Sequence, residues 1–214
     1  MDDNKPVASG TALAANATYI KENKSNTFNI DNSDVTFNVT LPQPGAANSA
    51  ELMIAVHNFS RQYYQLLVTC ESDVFQKNFV TVSDTHALSR LFVPPEILER
   101  CSSLSESGKA ELRTFPALVC MANKELHGVS DPNQWAMYAY ITNAVKEGNN
   151  IKVEFQPILP IRQSVLCDVK NAPYFNLDMD CAETTLNCCA WYVFKTDLFE
   201  AFDQAGITGA PRPM

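Results

Sequence analysis

The sequence predicts an α+β protein: an antiparallel β-hairpin within a small barrel-like sheet, helices packed on it, and an N-terminal β-repeat arm in front. Three observations predict this. A strand-type motif recurs at fixed spacing near the N-terminus, a helix-type apolar spacing follows the first proline break, and a long alternating stretch turns back at Glu147-Gly148-Asn149-Asn150. The 214 residues, 46% apolar and 19% charged, suffice for one core with a small appendage. Breaks in composition divide the chain into an arm at 1–41, a mainly helical half at 46–110, and a hairpin-plus-helix half at 111–214 that forms one compact unit with it.

The arm is rich in Asn, Thr, Ser and Ala. Thr18-Tyr19-Ile20 is echoed nine residues on by Thr27-Phe28-Asn29-Ile30 and nine further on by Thr36-Phe37-Asn38-Val39. Thr, aromatic and β-branched residues favour extended chain, and the Asn/Asp/Ser-rich spacers supply turn chemistry. Two arrangements fit: a β-meander, or stacked β-coils with Tyr19, Ile20, Phe28, Ile30, Phe37 and Val39 as rung residues. So few rungs can hardly bury an apolar face alone: in the second arrangement they either lie against the main domain or pair with the same segment of neighbouring chains, which makes these six residues the candidate oligomerisation set.

Pro42, Pro44 and Gly45 break the chain. Leu52, Val56, Phe59, Tyr63 and Leu66 then follow the spacing of one helical face, with Ser49 as a candidate cap. Phe79–Val82 reads as a strand, Ser83–Leu91 as a helical turn, and Pro94-Pro95-Glu96 as a helix start. Ser102–Gly108 reads as a polar loop. Phe115–Met121 reads as a strand, and Asn123–Gln134 as a loop. The hairpin runs from Trp135 to Phe155, with Trp135, Met137, Ala139 and Ile141 on one face and Tyr138, Tyr140 and Thr142 on the other. Pro157 and Pro160 are expected to end it. A helix is expected at Arg162–Val169 and a last strand at Ala190–Phe194. A final helix is capped by Thr196 and closed by Gly206.

Composition sets several chemistries aside. Net charge is −8 and no two Lys or Arg residues are adjacent, which argues against a nucleic-acid backbone binder. Seven glycines with no G-x-G pair leave no phosphate-cradling loop. No apolar run approaches the roughly 18 residues that span a bilayer, and no leader pattern opens the chain. The expectation is a cytoplasmic protein with reduced thiols, no cofactor and no metal.

Candidate chemistries remain to be placed. Cys181, Cys188, Cys189 and His127 are a conceivable zinc set, although adjacent cysteines on one strand face opposite ways. Cys120 with His127 is a conceivable thiol and base, against which an apolar strand raises the thiol pKa. Asp168-Val169-Lys170 with Asp131 has the form of a Mg-dependent nuclease half-site, and Asp178-Met179-Asp180 is a carboxylate pair in a loop. Each reads more simply as buried thiol or polar turn. Trp135, Tyr138 and Tyr140 are the candidate partner-binding aromatics, if not packed inside.

Thr114-Phe115-Pro116-Ala117, Gly128 with Asp131, the hairpin Tyr138–Phe155, Gln156-Pro157, Pro160-Ile161 and the ending Trp191–Ile207 together resemble a family of uncharacterised bacterial proteins with a barrel-like hairpin followed by helices. That resemblance implies a bacterial or phage origin and no activity. The repeats also resemble the Asn-rich N-terminal repeats of some bacterial conflict and defence proteins, without their Gly-Asp-Asn turn. The functional expectation is therefore a non-enzymatic interaction or assembly protein, part of a defence or toxin-immunity system, whose partner is itself or another protein. The alternatives are the Mg-dependent nuclease and a structural subunit of a viral or other large assembly.

Overall fold

The computed structural model describes residues 25–30, 37–42, 46–88, 91, 93–123, 130–131, 133–179 and 183–213. The chain forms two compact units that meet between Pro44 and Gly45.

In the first unit, β1 (Ser25–Ile30) and β2 (Phe37–Pro42) pair antiparallel, with Phe28 opposite Val39 and Ile30 opposite Phe37. The two closest copies of the repeat are thus the arms of a hairpin. Stacked rungs would have set Phe28 beside Phe37. An antiparallel pair completes its ladder across a short connection, whereas a coil needs further rungs above and below. By strand alternation Phe28, Ile30, Phe37 and Val39 occupy positions on one face of this ribbon. Tyr19 and Ile20 lie outside the described residues.

The second unit opens with α1 (Ala46–His57) and β3 (Tyr64–Thr69). The apolar spacing through Leu66 had predicted one continuous helix. Ser60 breaks it: its hydroxyl accepts the backbone N–H groups of Gln62 (3.0 Å) and Tyr63 (3.3 Å), a local alternative to the helical ladder. All six residues of β3 are then buried inside a sheet. A run buried on both faces reads alike for helix and strand, so its periodicity was ambiguous.

The short helix α2 (Val74–Lys77) leads into β4 (Phe79–Ser83). Residues 84–88 are turns rather than helix, with Ala87 bridging to Trp191. Helix α3 (Pro95–Cys101) begins on the predicted proline, and α4 (Glu106–Leu112) takes up the end of the predicted Ser102–Gly108 loop. The Ser105 hydroxyl caps α4 by accepting Gly108 N–H at 3.2 Å. Gly108 lets the two helices meet, since a Cβ there would stand 2.8 Å from the Arg100 carbonyl.

Three long strands follow: β5 (Pro116–Met121), β6 (Trp135–Glu147) and β7 (Asn150–Arg162). Strand β7 continues through Pro157 and Pro160, where the sequence predicted its end. The register explains how. Pro157 lies opposite Ala139, Leu159 opposite Tyr138 and Pro160 opposite Met137, leaving Ile158 as a bulge. The bulge gives both prolines partners of the same parity, so both take pair positions whose N–H points away from β6. Strand β4 covers only residues 150–154 of β7, so this stretch is sheet edge, where proline is tolerated.

The chain ends with α5 (Gln163–Cys167), single 3-10 turns at Ala172–Phe175 and Thr185–Asn187, β8 (Trp191–Phe194) and α6 (Leu198–Gln204). Asp197, one residue beyond the predicted Thr196, caps α6: its carboxylate accepts the N–H groups of Phe199 (2.9 Å) and Glu200 (3.3 Å). Gly206, at φ +71°, closes the helix as predicted. Ile207 N–H reaches Phe202 O at 2.8 Å and Gly206 N–H reaches Asp203 O at 3.2 Å, the paired bonds of a Schellman turn. Asp197→Ala is expected to lower the unfolding free energy by about 1 kcal/mol, read as an earlier urea midpoint at unchanged slope. The exposed Arg61–Asp197 ion pair adds little to that loss.

The protein is α+β. Its main sheet has six strands in the order β4-β7-β6-β5-β3-β8, with β4 and β8 at its two ends. Every pair is antiparallel except β3 with β5, which is parallel. One face carries Tyr64, Leu66, Val68, Leu118, Cys120, Tyr138 and Tyr192, packed against Phe175, Leu198, Phe199 and Phe202. On the other, Leu67, Ala117, Val119, Met137, Ala139 and Trp191 are direct cross-strand neighbours. Gln65 belongs to this second face and ties it to α4. Its amide donates to Leu112 O (2.9 Å) and Phe115 O (3.0 Å), and its carbonyl accepts Trp191 Nε1–H (3.0 Å). Among the described residues, no helix is long and apolar enough to cross a membrane.

Candidate functional site

The parallel pair decides where chemistry gathers. Thr69 of β3 lies beside Met121 of β5, so both strands leave the sheet at the same end. Strand β8 enters there from the opposite direction, with Trp191 opposite Leu67 and Val68 N–H bonded to Ala190 O at 2.9 Å. Cys70, Asn123 and the Cys188-Cys189 pair are therefore brought to one rim.

A buried amide network holds this rim. Gln163, fully buried, accepts Met121 N–H (2.9 Å) and donates to Met121 O (2.7 Å) and Asn123 Oδ1 (3.2 Å). Asn187 donates to Asn123 O (3.1 Å), and Asn123 N–H to Leu186 O (2.8 Å). Gln134 donates to Ala122 O at 3.0 Å. The segments after β5, before β6 and before β8 are thus fastened to each other through side-chain amides, which leaves few backbone groups there unpaired.

The thiols around this network differ in character. Burial pushes Cys120 far above the usual thiol range, and Cys167 up to about 11. Both are inert as nucleophiles. Cys70 is exposed, and Cys188 and Cys189 are half-buried. Burial, then the contact with Cys70, holds Cys189 in its thiol form. Buried structural thiols were the simpler expectation from sequence, and Cys70 departs from it. No local pattern marks Cys70; only the pairing of β3 with β8 reveals its neighbour.

The aromatic candidates separate. Tyr138 is fully buried, donates its hydroxyl to Pro211 O at 2.8 Å, and meets Phe202 edge-on at 5.3 Å. It is a core residue and offers no surface to a partner. Alternation placed it opposite Met137 correctly, but both faces of β6 are covered. Tyr140 is partly buried against the same core. Trp135 is half-buried at the start of β6, with the Arg162 guanidinium 4.0 Å above its ring. The structure therefore leaves Trp135 and Tyr140 as the partly accessible members of the set.

The carboxylate candidates are turn formers. Asp168 Oδ1 accepts Lys170 N–H at 2.9 Å, and Asp131 Oδ1 accepts Asn133 N–H at 2.8 Å. The Asp178 backbone N–H donates to the Thr185 hydroxyl at 2.9 Å. His127, Asp180 and Cys181 lie outside the described residues. Among the described residues no group of three or more His, Cys, Asp or Glu side chains is placed to hold a metal ion. Of the oligomerisation set, Phe28, Ile30, Phe37 and Val39 fall on the β1–β2 ribbon. Comparison with family models, with curated proteins and with solved structures gave no match for this chain.

Proposed function

We propose that the protein is a non-enzymatic assembly module that associates with further copies of itself through its N-terminal ribbon. The observation that carries this reading is the β1–β2 pair, which among the described residues of the first unit is a sheet of two strands. A lone two-stranded sheet is marginal in water and becomes stable when an apolar face is covered. Phe28, Ile30, Phe37 and Val39 supply that face. A second apolar feature lies on α1, where Met53 and Ile54 are 64% and 62% exposed side by side, a further surface suited to contact between chains. The setting, a bacterial or phage defence or toxin-immunity system, rests on the sequence resemblance.

Deleting residues 1–44 tests the proposal by light scattering at matched concentrations. The full chain is expected to have the mass of several copies and the shortened chain that of one. Phe28→Asp with Phe37→Asp in the full chain is expected to give the same drop. A mass that stays constant across all three proteins overturns the reading.

A further inference from the structure

We infer that the amide network beyond β5 holds one buried water molecule, bound to the side-chain Nδ2 of Asn123. Asn123 is 6% exposed. Its backbone N–H reaches Leu186 O at 2.8 Å, its carbonyl accepts from Asn187 Nδ2 at 3.1 Å, and its Oδ1 accepts from Gln163 Nε2 at 3.2 Å. Its Nδ2 is buried and has no hydrogen-bond partner among the described residues. Turning the amide round does not cure this. Gln163 accepts the Met121 N–H at 2.9 Å and donates to the Met121 carbonyl at 2.7 Å, which fixes its nitrogen on the side that meets Asn123. A flipped Asn123 would set donor against donor. A donor shut away from solvent with no acceptor costs more than a bond never made, and folded proteins leave few such groups unmet.

The chemistry of the site narrows what sits there. An N–H calls for an acceptor, which excludes a metal cation. Among the described residues no charged side chain bonds to Asn123 or to Gln163, so a buried anion would lie uncompensated. A larger neutral molecule would need several hooks, and the neighbouring amides are engaged at both ends. Gln134 bonds Ala122 O (3.0 Å) and Asp131 N–H (3.2 Å), and Asn187 bonds Asn123 O and Thr184 N–H (2.9 Å). One spare donor suits one small oxygen. Water also brings two hydrogens, which carbonyls with a second lone pair can accept, and Ala122 O and Asn123 O each take one bond from a side-chain amide. The water is the last link in the join between the exit of β5 and the turn before β8.

Two measurements on the full, unsubstituted chain test this. In water-selective NMR the side-chain N–H protons of Asn123 are expected to show cross-peaks to the water line that change sign between NOESY and ROESY, the mark of a held water rather than of hydrogen exchange. Missing cross-peaks, or cross-peaks of unchanged sign, overturn the inference. A crystal structure is expected to show a single water about 2.9 Å from Asn123 Nδ2. Nδ2 bonded instead to a protein atom, a larger molecule in the water's place, or no density within hydrogen-bond reach overturns it equally. Neither measurement depends on a variant that folds, and neither outcome bears on association through the ribbon.

Discussion

Gln65→Leu is expected to lower the unfolding free energy by about 3–5 kcal/mol, measured by equilibrium urea denaturation. The side chain is fully buried in a sheet face built largely from apolar neighbours such as Leu67, Val119 and Trp191. Leucine fills nearly the same space, so cavity formation contributes little. The cost comes from the groups left behind: the Trp191 indole N–H and the carbonyls of Leu112 and Phe115 lose their partner away from water. Each such buried group costs about 1–3 kcal/mol, reduced where the end of α4 relaxes. Trp191→Phe alone removes the indole donor and is expected to cost about 1–2 kcal/mol. The double variant should then cost less than the sum, because the indole loses its acceptor only once. Strict additivity would show that the amide does not satisfy the indole.

Phe202→Ala is expected to cost about 3–5 kcal/mol by the same measurement. The ring is fully buried and in contact with three others, Tyr138 at 5.3 Å, Phe175 at 6.1 Å and Phe199 at 6.5 Å. Tyr138 cannot swing into the vacated space without giving up its bond to Pro211 O, and Phe175 is fixed because its own carbonyl holds the Tyr64 hydroxyl. The cavity therefore stays open, which places the cost at the upper end for a large-to-small change. Phe202→Leu, which refills most of the volume, is expected to cost about 1–2 kcal/mol. Equal losses for the two variants would mean that the site collapses around alanine.

What the sequence revealed follows the range of the forces involved. Pro95, Gly206 and the turn after Glu147 act through their own backbone, and α3, the end of α6 and the β6–β7 hairpin stand where those residues predicted them. Strand β3 was misread as helix because its place is set by β5 and by β8, whose Trp191 bonds Gln65 across 126 positions of chain. Pro157 and Pro160 looked like terminators because the bulge at Ile158 appears only once β6 and β7 are in register. The same limit applies at the thiol rim. Cys70 and the Cys188-Cys189 pair are unremarkable in sequence, and they reach one rim only when β3 and β8 pair. Tyr138 was assigned to a face, but alternation does not tell what lies on top of that face.

The proline-bearing stretch of β7 has a consequence for strand addition at the sheet's rim. Where β4 stops, no other described strand pairs with that side of β7, a rim of the kind that would ordinarily invite an incoming strand from another molecule. Two of the amide hydrogens such a visitor would need are missing, at Pro157 and Pro160, and the Ile158 kink spoils the straight line it would follow. Runaway sheet growth is thereby discouraged on this side.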